Sequence, residues 1–164
     1  MLVPVRIYAH LSWTTFARLP LIDVSVGAFL EKFLAAECQR QAARLLELGL
    51  LRDHVHLLLE LPGTFNVARL VQGLKGASSR IANRDRIARH ASLRWAAGYD
   101  LRSVGRRELD VVRDYVRNQA TRHPGKHVVG LDEPRRSDPC AEAPARPHAR
   151  PEGRPNIAPS EGAP

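Results

Sequence analysis

An α+β fold built around an antiparallel sheet is what this 164-residue sequence predicts. Three observations carry that prediction. The N-terminal stretch alternates with a period of two, two apolar runs meet at a tight turn in the middle, and apolar residues recur at helical spacing between and after them. Val3, Val5, Ile7, Ala9, Leu11 and Trp13 alternate with Arg6, Tyr8, His10, Ser12 and Thr14, the pattern of a strand with one apolar face. After the Leu19-Pro20 break, Asp23 or Ser25 can cap a helix in which Val26, Phe29, Leu30, Phe33 and Leu34 keep helical spacing to about Cys38. Ala43 to Leu51 and His54 to Leu61 form a predicted hairpin turned at Arg52-Asp53, although Leu45, Leu46 and Leu48 would also suit a helix.

Pro62-Gly63 ends the hairpin, and Asn66 caps a second helix with Val67, Leu70, Val71, Leu74, Ser78 and Ile81 on one face. A loop through Ala88 to Ser92 leads into Leu93 to Val104, expected as the last strand, with Ala97-Gly98 as a point where it can double back. From about Arg107 to Thr121, Leu109, Val112 and Val116 mark a terminal helix that ends near His123-Pro124. The first six elements run strand, helix, strand, strand, helix, strand. That is the ferredoxin-like split arrangement, a βαββαβ antiparallel sheet, here with an added C-terminal helix carrying Tyr115.

The length allows one ordinary domain, expected over residues 1–130. Residues 131–164 read as a disordered Pro/Ala/Arg-rich tail, because eight of the twelve prolines fall in the last 31 residues and Ile157 is the only large aliphatic there. Cys38 and Cys140 fit no CxxC spacing and are expected to be free thiols in a reducing cytoplasm. No charged-then-apolar leader opens the sequence, and no run approaches the ~18 apolar residues of a membrane span, so a cytoplasmic, nucleoid-associated protein is expected.

The formal charge is +8, and the proline-rich segment carries little of it. Between Asn66 and Arg94, Arg69, Lys75, Arg80, Arg84, Arg86, Arg89 and Arg94 face a single acid, Asp85. A run of one sign repels itself unless a polyanion or acidic partner offsets it; a solvated helix face is the plainer alternative. Lys75, Arg80 and Arg84, on the second helix, are the candidates for phosphate contacts, with no feature selecting among them.

Two constellations can carry chemistry. His54 and His56 lie two apart on one strand, so both imidazoles project from the same face, roughly 6 to 7 Å apart at the backbone, which a single divalent ion can bridge. Val55, Leu57, Leu59 and Leu61 turn to the other face, where helices should pack. Taken alone the pair is equally a surface or packing feature. Tyr115 and Gln119 are four apart on the terminal helix and share one face, which brings a phenol and an amide oxygen to the same region. A phenol that attacks phosphorus needs a metal beside it to neutralise the phosphate, and an amide oxygen can join two imidazoles as a ligand. An interface tyrosine beside a solvated glutamine is the ordinary meaning of such a pair. His10 lies on the even face of the first strand, within reach of His56 or simply satisfied there, while Asp53 is the residue of the hairpin turn. Trp95 and Tyr99 suit core packing better than base stacking.

Five stretches in order carry a resemblance across Val5 to His123. They are His10-Leu-Ser-Trp-Thr-Thr, Asp53-His-Val-His-Leu-Leu-Leu, Gln72-Gly-Leu-Lys-Gly-Ala-Ser-Ser-Arg, Trp95-Ala-Ala-Gly-Tyr-Asp-Leu-Arg-Ser-Val-Gly and Tyr115-Val-Arg-Asn-Gln. Together they resemble the single-tyrosine HUH transposases of small insertion sequences that move as single-stranded DNA. The resemblance implies that His54, His56 and Gln119 hold Mg²⁺ or Mn²⁺ and that Tyr115 is the nucleophile. Ligand softness alone would favour Zn²⁺ or Mn²⁺, so Mg²⁺ comes from the family. It further implies single-stranded DNA with hairpins as substrate, a 5′-phosphotyrosine intermediate, and a homodimer whose active sites are shared between chains. The proline-rich tail has no counterpart in the family pattern. Two other classes compete: a non-catalytic or domesticated relative that binds hairpins or single strands, and a zinc hydrolase, which lacks the further His and Asp ligands such sites require.

Overall fold

A computed structural model describes residues 5–128. The expected tail and Val3 lie outside the described residues. Strand β1 (Ile7–Thr14) is followed by helix α1 (Val24–Arg40), and a hairpin of β2 (Arg44–Leu50) and β3 (His54–Leu61) comes next. A helical stretch then runs through α2 (Val67–Val71), a π-helical turn (Gln72–Ala77) and α3 (Ser78–Arg84). Strand β4 (Asp100–Val104) completes the sheet, and α4 (Leu109–Arg117) and α5 (Gln119–Arg122) close the chain. The sheet order is β2-β3-β1-β4 with every neighbouring pair antiparallel, the predicted ferredoxin-like topology.

The pleat sorts the residues. Ala9, Leu11, Trp13, Val55, Leu57, Leu59 and Leu61 point to one face and are buried with Val26, Leu30, Leu34 and Cys38 of α1, Leu70 and Val71 of α2, and Leu74. Asp23 caps α1 by accepting from the Val26 N–H at 2.8 Å, and Asn66 caps α2 by accepting from Arg69 at 2.9 Å. The ambiguous leucines of β2 serve both faces. A bulge between Leu45 and Glu47 leaves Leu45 and Leu48 against the main core and turns Leu46 to a second cluster with Leu58, which is why no clean alternation shows there.

The structure revises three expectations. Leu93–Tyr99 is a loop with an isolated bridge between Thr15 and Trp95, so the last strand is only Asp100–Val104. The cause lies in the second helical stretch, whose side chains satisfy the loop's backbone. Asn83 donates to the Leu93 carbonyl at 2.9 Å and accepts from its N–H at 2.7 Å, and Lys75 Nζ donates to Ala96 O at 2.8 Å and to Gly98 O. The second helix contains a π-helical turn at its two glycines. A Cβ at Gly73 would overlap the Glu37 carboxylate and the Gln41 amide of α1, so close approach of α1 is what that glycine permits. The terminal helix breaks at Asn118, which separates Tyr115 on α4 from Gln119 on α5.

Candidate active site

The opposite face of the sheet carries Tyr8, His10 and Ser12 of β1 and His54, His56 and Leu58 of β3, since Ser12 pairs with His56, His10 with Leu58 and Tyr8 with Glu60. Helix α4 lies on this face. Leu58, Val104 and Val116 are buried together, with Leu109, Val112 and Tyr115 against them. Its seat is the bare backbone of Gly49, the β2 partner of His56: a Cβ there would come within 2.7 Å of Val116 O and 3.2 Å of Gln119 Cγ. The pair Arg117–Glu47, 2.9 Å apart, fastens the edge. Within this chain the helix rests on its own sheet.

The helix brings the predicted groups together. The Tyr115 ring is 5.9 Å from His56 and 6.0 Å from His10, both edge-on. His54 and His56 have ring centroids 5.0 Å apart. Gln119 is buried above Gly49; its amide nitrogen donates to Tyr115 O at 3.0 Å, and its Oε1 is buried with no hydrogen-bond partner. An orphaned buried acceptor of this kind costs about 1–3 kcal/mol unless a hydrogen-bond donor or a cation meets it. Among the described residues, no cluster of three or more His, Cys, Asp or Glu side chains could hold a metal ion. Beyond the two imidazoles, the unpartnered Gln119 oxygen is the further neutral donor buried on this face of the sheet.

Each histidine of the pair is held at Nδ1. His54 Nδ1 lies 2.5 Å from Asp53 Oδ1, and His56 Nδ1 lies 3.0 Å from His10 Nε2. Burial pushes the His56 imidazole down to about 3, helped by His54, His10 and His123, so it is a neutral lone-pair donor at ordinary pH. Burial also lowers His54 and His10, against the raising effect of Asp53 on the first and of Asp100 on the second. For Asp53, burial opposes ionisation but hydrogen bonds from Lys126 and His54 outweigh it, and its carboxyl lies below the ordinary range.

The sequence reading left Asp53 as a turn residue and gave no place to Lys126, His123 or Arg122. Lys126 Nζ is 2.7 Å from Asp53 Oδ2, the His123 ring is 5.7 Å from His54, and the Arg122 guanidinium is 5.2 Å from the Tyr115 ring. An acid directly before the histidine pair was a signal for the first; nothing in spacing announces the others, because they arrive by the chain's return past α5.

The three basic candidates part company. Lys75 is committed to the carbonyls of Ala96 and Gly98, Arg84 pairs with Asp85 at 2.6 Å, and Arg80 is exposed. All three sit on the helical layer across the sheet from the histidines. Trp95 is half-buried, packs edge-on to Trp13 at 5.8 Å and donates to Ser78 Oγ at 3.1 Å, while Tyr99 is exposed. Among the described residues, no helix is long and apolar enough to cross a membrane.

Comparison with known proteins places this chain among transposases. A family model described as "Transposase IS200 like" matches residues 4–119, well over half of the chain, and the chain belongs to that family. It is 30% identical over 99 residues to the transposase for insertion sequence element IS200 of Salmonella typhimurium (strain LT2), and equally to that of Salmonella typhi; the match spans 58% of this chain and 62% of each relative. The fold is similar to the crystal structure of a candidate transposase from Deinococcus radiodurans R1, with a TM-score of 0.56 at 23% identity over 77% of this chain and 95% of that one. It is also similar to a REP-associated tyrosine transposase bound to a REP hairpin, with a TM-score of 0.58 at 11% identity over 75% of this chain and 72% of that one.

Proposed function

We propose that this chain is a transposase that cuts and rejoins single-stranded DNA at hairpin-marked ends through a 5′-phosphotyrosine on Tyr115, with Mg²⁺ or Mn²⁺ held by His54, His56 and Gln119. One observation carries the reading: the partnerless buried oxygen of Gln119 belongs to a side chain hydrogen-bonded to the backbone of Tyr115, whose ring lies beside His56. A neutral histidine pair and a neutral amide leave a divalent ion its full charge toward a phosphate, where it would stabilise the developing negative charge. The chain's own residues do the rest. The Tyr115 oxygen forms a bond to phosphorus as the P–O3′ bond breaks, and the 3′ oxygen leaves as a hydroxyl whose proton is formally that of the phenol. The phosphodiester energy stays in the tyrosyl ester, so a 3′-hydroxyl of another strand can reverse the step and complete the rejoining. Arg122, over the Tyr115 ring, places a cation beside the phenol.

The basic layer across the sheet suits phosphates outside the cutting site, with Arg80 the first candidate, since Lys75 and Arg84 already have partners. A DNA hairpin is the substrate feature this division of labour suits, and the hairpin-bound structural relative supports it. The test is covalent trapping. Wild-type protein with Mg²⁺ or Mn²⁺ should give a protein–DNA adduct stable to denaturing gels, Tyr115→Phe should give none while still binding DNA, and an adduct with the variant would sink the assignment.

For assembly the reading follows the resemblance, a homodimer whose active sites are shared between chains, because the contacts that seat α4 can be made by the helix of either copy. Mixing His54→Ala/His56→Ala chains with Tyr115→Phe chains should then restore activity, and a mixture that stays inactive would establish a site built within one chain.

A further inference from the structure

Behind the histidine pair stand three residues to which the family reading gives no task. We propose that Asp53 and His10 are positioning residues, each holding one histidine of the pair by its Nδ1 atom so that Nε2 of both stays free for the cation, with Lys126 anchoring Asp53. The inference rests on the metal reading above and adds the residues that make the site ready to bind.

The hydrogen-bond directions follow from one requirement. A histidine that ligates through Nε2 carries its proton on Nδ1 and needs an acceptor there. For His54 the acceptor is Asp53 Oδ1 at 2.5 Å, a charge-assisted contact. For His56 it is His10 Nε2 at 3.0 Å, which in turn requires His10 to carry its own proton on Nδ1. The neighbouring rings of His10 and His56 are nearly parallel, 6° between planes, so His56 is held in orientation as well as in tautomer.

Lys126 completes the arrangement from far along the sequence. The stretch after α5 returns to the β2–β3 turn, where Arg52 N donates to Lys126 O at 2.7 Å and Leu51 bridges to His127. That return sets Lys126 Nζ at 2.7 Å from Asp53 Oδ2. Asp53 is almost wholly buried, at 4% exposure, and a buried carboxylate needs such a partner to remain an anion. The carboxylate is thus shared, Oδ2 to the Lys126 ammonium and Oδ1 to the His54 imidazole. A turn residue kept only for its backbone would need neither contact.

Two measurements test the proposal on the full-length protein. In ¹⁵N-histidine NMR of the metal-free wild type near neutral pH, His54 and His56 should both be protonated on Nδ1; Nε2 protonation of either would overturn the proposal. In Mn²⁺ titrations followed by EPR, His54→Ala should abolish binding at the site. Asp53→Asn and His10→Ala should each weaken it by roughly 10- to 100-fold, Lys126→Met less, and Lys126→Arg should retain wild-type affinity. Asp53→Asn and His10→Ala at wild-type affinity, with His54→Ala still defective, would overturn this inference and leave the metal reading standing. A wild type that binds no Mn²⁺ would overturn both. Circular dichroism checks that each variant folds, and if Asp53→Asn does not, the tautomers of the wild type decide.

Discussion

On one face of β1 and β3, Ala9, Leu11, Trp13, Val55, Leu57, Leu59 and Leu61 are buried beneath α1 and the α2 helix, while on the other the same strands carry Tyr8, His10, Ser12, His54, His56 and one fully buried leucine, Leu58. The first face is dry, continuous and indifferent to chemistry. The second has just enough apolar surface to seat one helix, and every other position holds a polar or titratable group. The difference shows how a small domain separates stability from reactivity: a two-residue period assigns each to its own side of one sheet.

Four substitutions or conditions can break or sharpen that comparison. His56→Ala, on the reactive face, should abolish metal-dependent cleavage at a cost of only about 1–3 kcal/mol in unfolding free energy, because the main core is untouched and the loss is that of a buried ring bonded to His10. Cleavage assays beside urea denaturation would show it, and a large loss of stability would mean that the two faces are not separable. Gly49→Ala should lift α4, since the new Cβ meets Val116 O at 2.7 Å. Adduct formation is expected to fall on the order of 100-fold, the cost of displacing a nucleophile by about an ångström, with a stability loss of about 1–3 kcal/mol. Single-turnover kinetics measure the first and denaturation the second.

Leu57→Ala, on the dry face, should do the reverse. It should cost about 2–5 kcal/mol in denaturation while the folded fraction keeps its rate of adduct formation. The smallest effect is one of pH. A hydrogen bond from Arg40 holds the Glu37 carboxyl below its ordinary value of 4.5, against burial and with help from Gln41. Its stabilising contribution is therefore present above 4.5 and lost as pH falls through the lower folded value. Denaturation midpoints of the wild type should decline in that acid window, and Glu37→Gln should flatten the decline modestly, because the Arg40 side of the pair is exposed to solvent.

Much of this was legible in the sequence, for reasons that differ by element. β1 and β3 announce their faces because a half-buried strand must alternate, and His54 and His56 share a face for the same reason. Tyr115 and Gln119 remain neighbours across the break at Asn118, where the Gln119 amide still donates to Tyr115 O. What was not legible depends on contacts distant in the chain. Leu93–Tyr99 has a strand's composition but is a loop because Lys75 and Asn83 claim its backbone groups. That use of Lys75 also gives two backbone partners to a cation that composition offers as a candidate for phosphate. Asp53 looks like any hairpin turn residue until Lys126, 73 positions later, returns to it.

Helix α4 rests on Gly49, Leu58, Val104 and Glu47, all of them features of the sheet, and none of these contacts depends on which copy of the chain supplies the helix. What favours the helix's own sheet is its tether, the short run from Gly105 to Glu108, which keeps the helix at an effective concentration on the order of millimolar. Exchange of helices between two copies would conserve every seating contact and change only connectivity. Stiffening that four-residue run is therefore expected to shift the balance between the helix's own sheet and that of a second copy without altering a single group at the site.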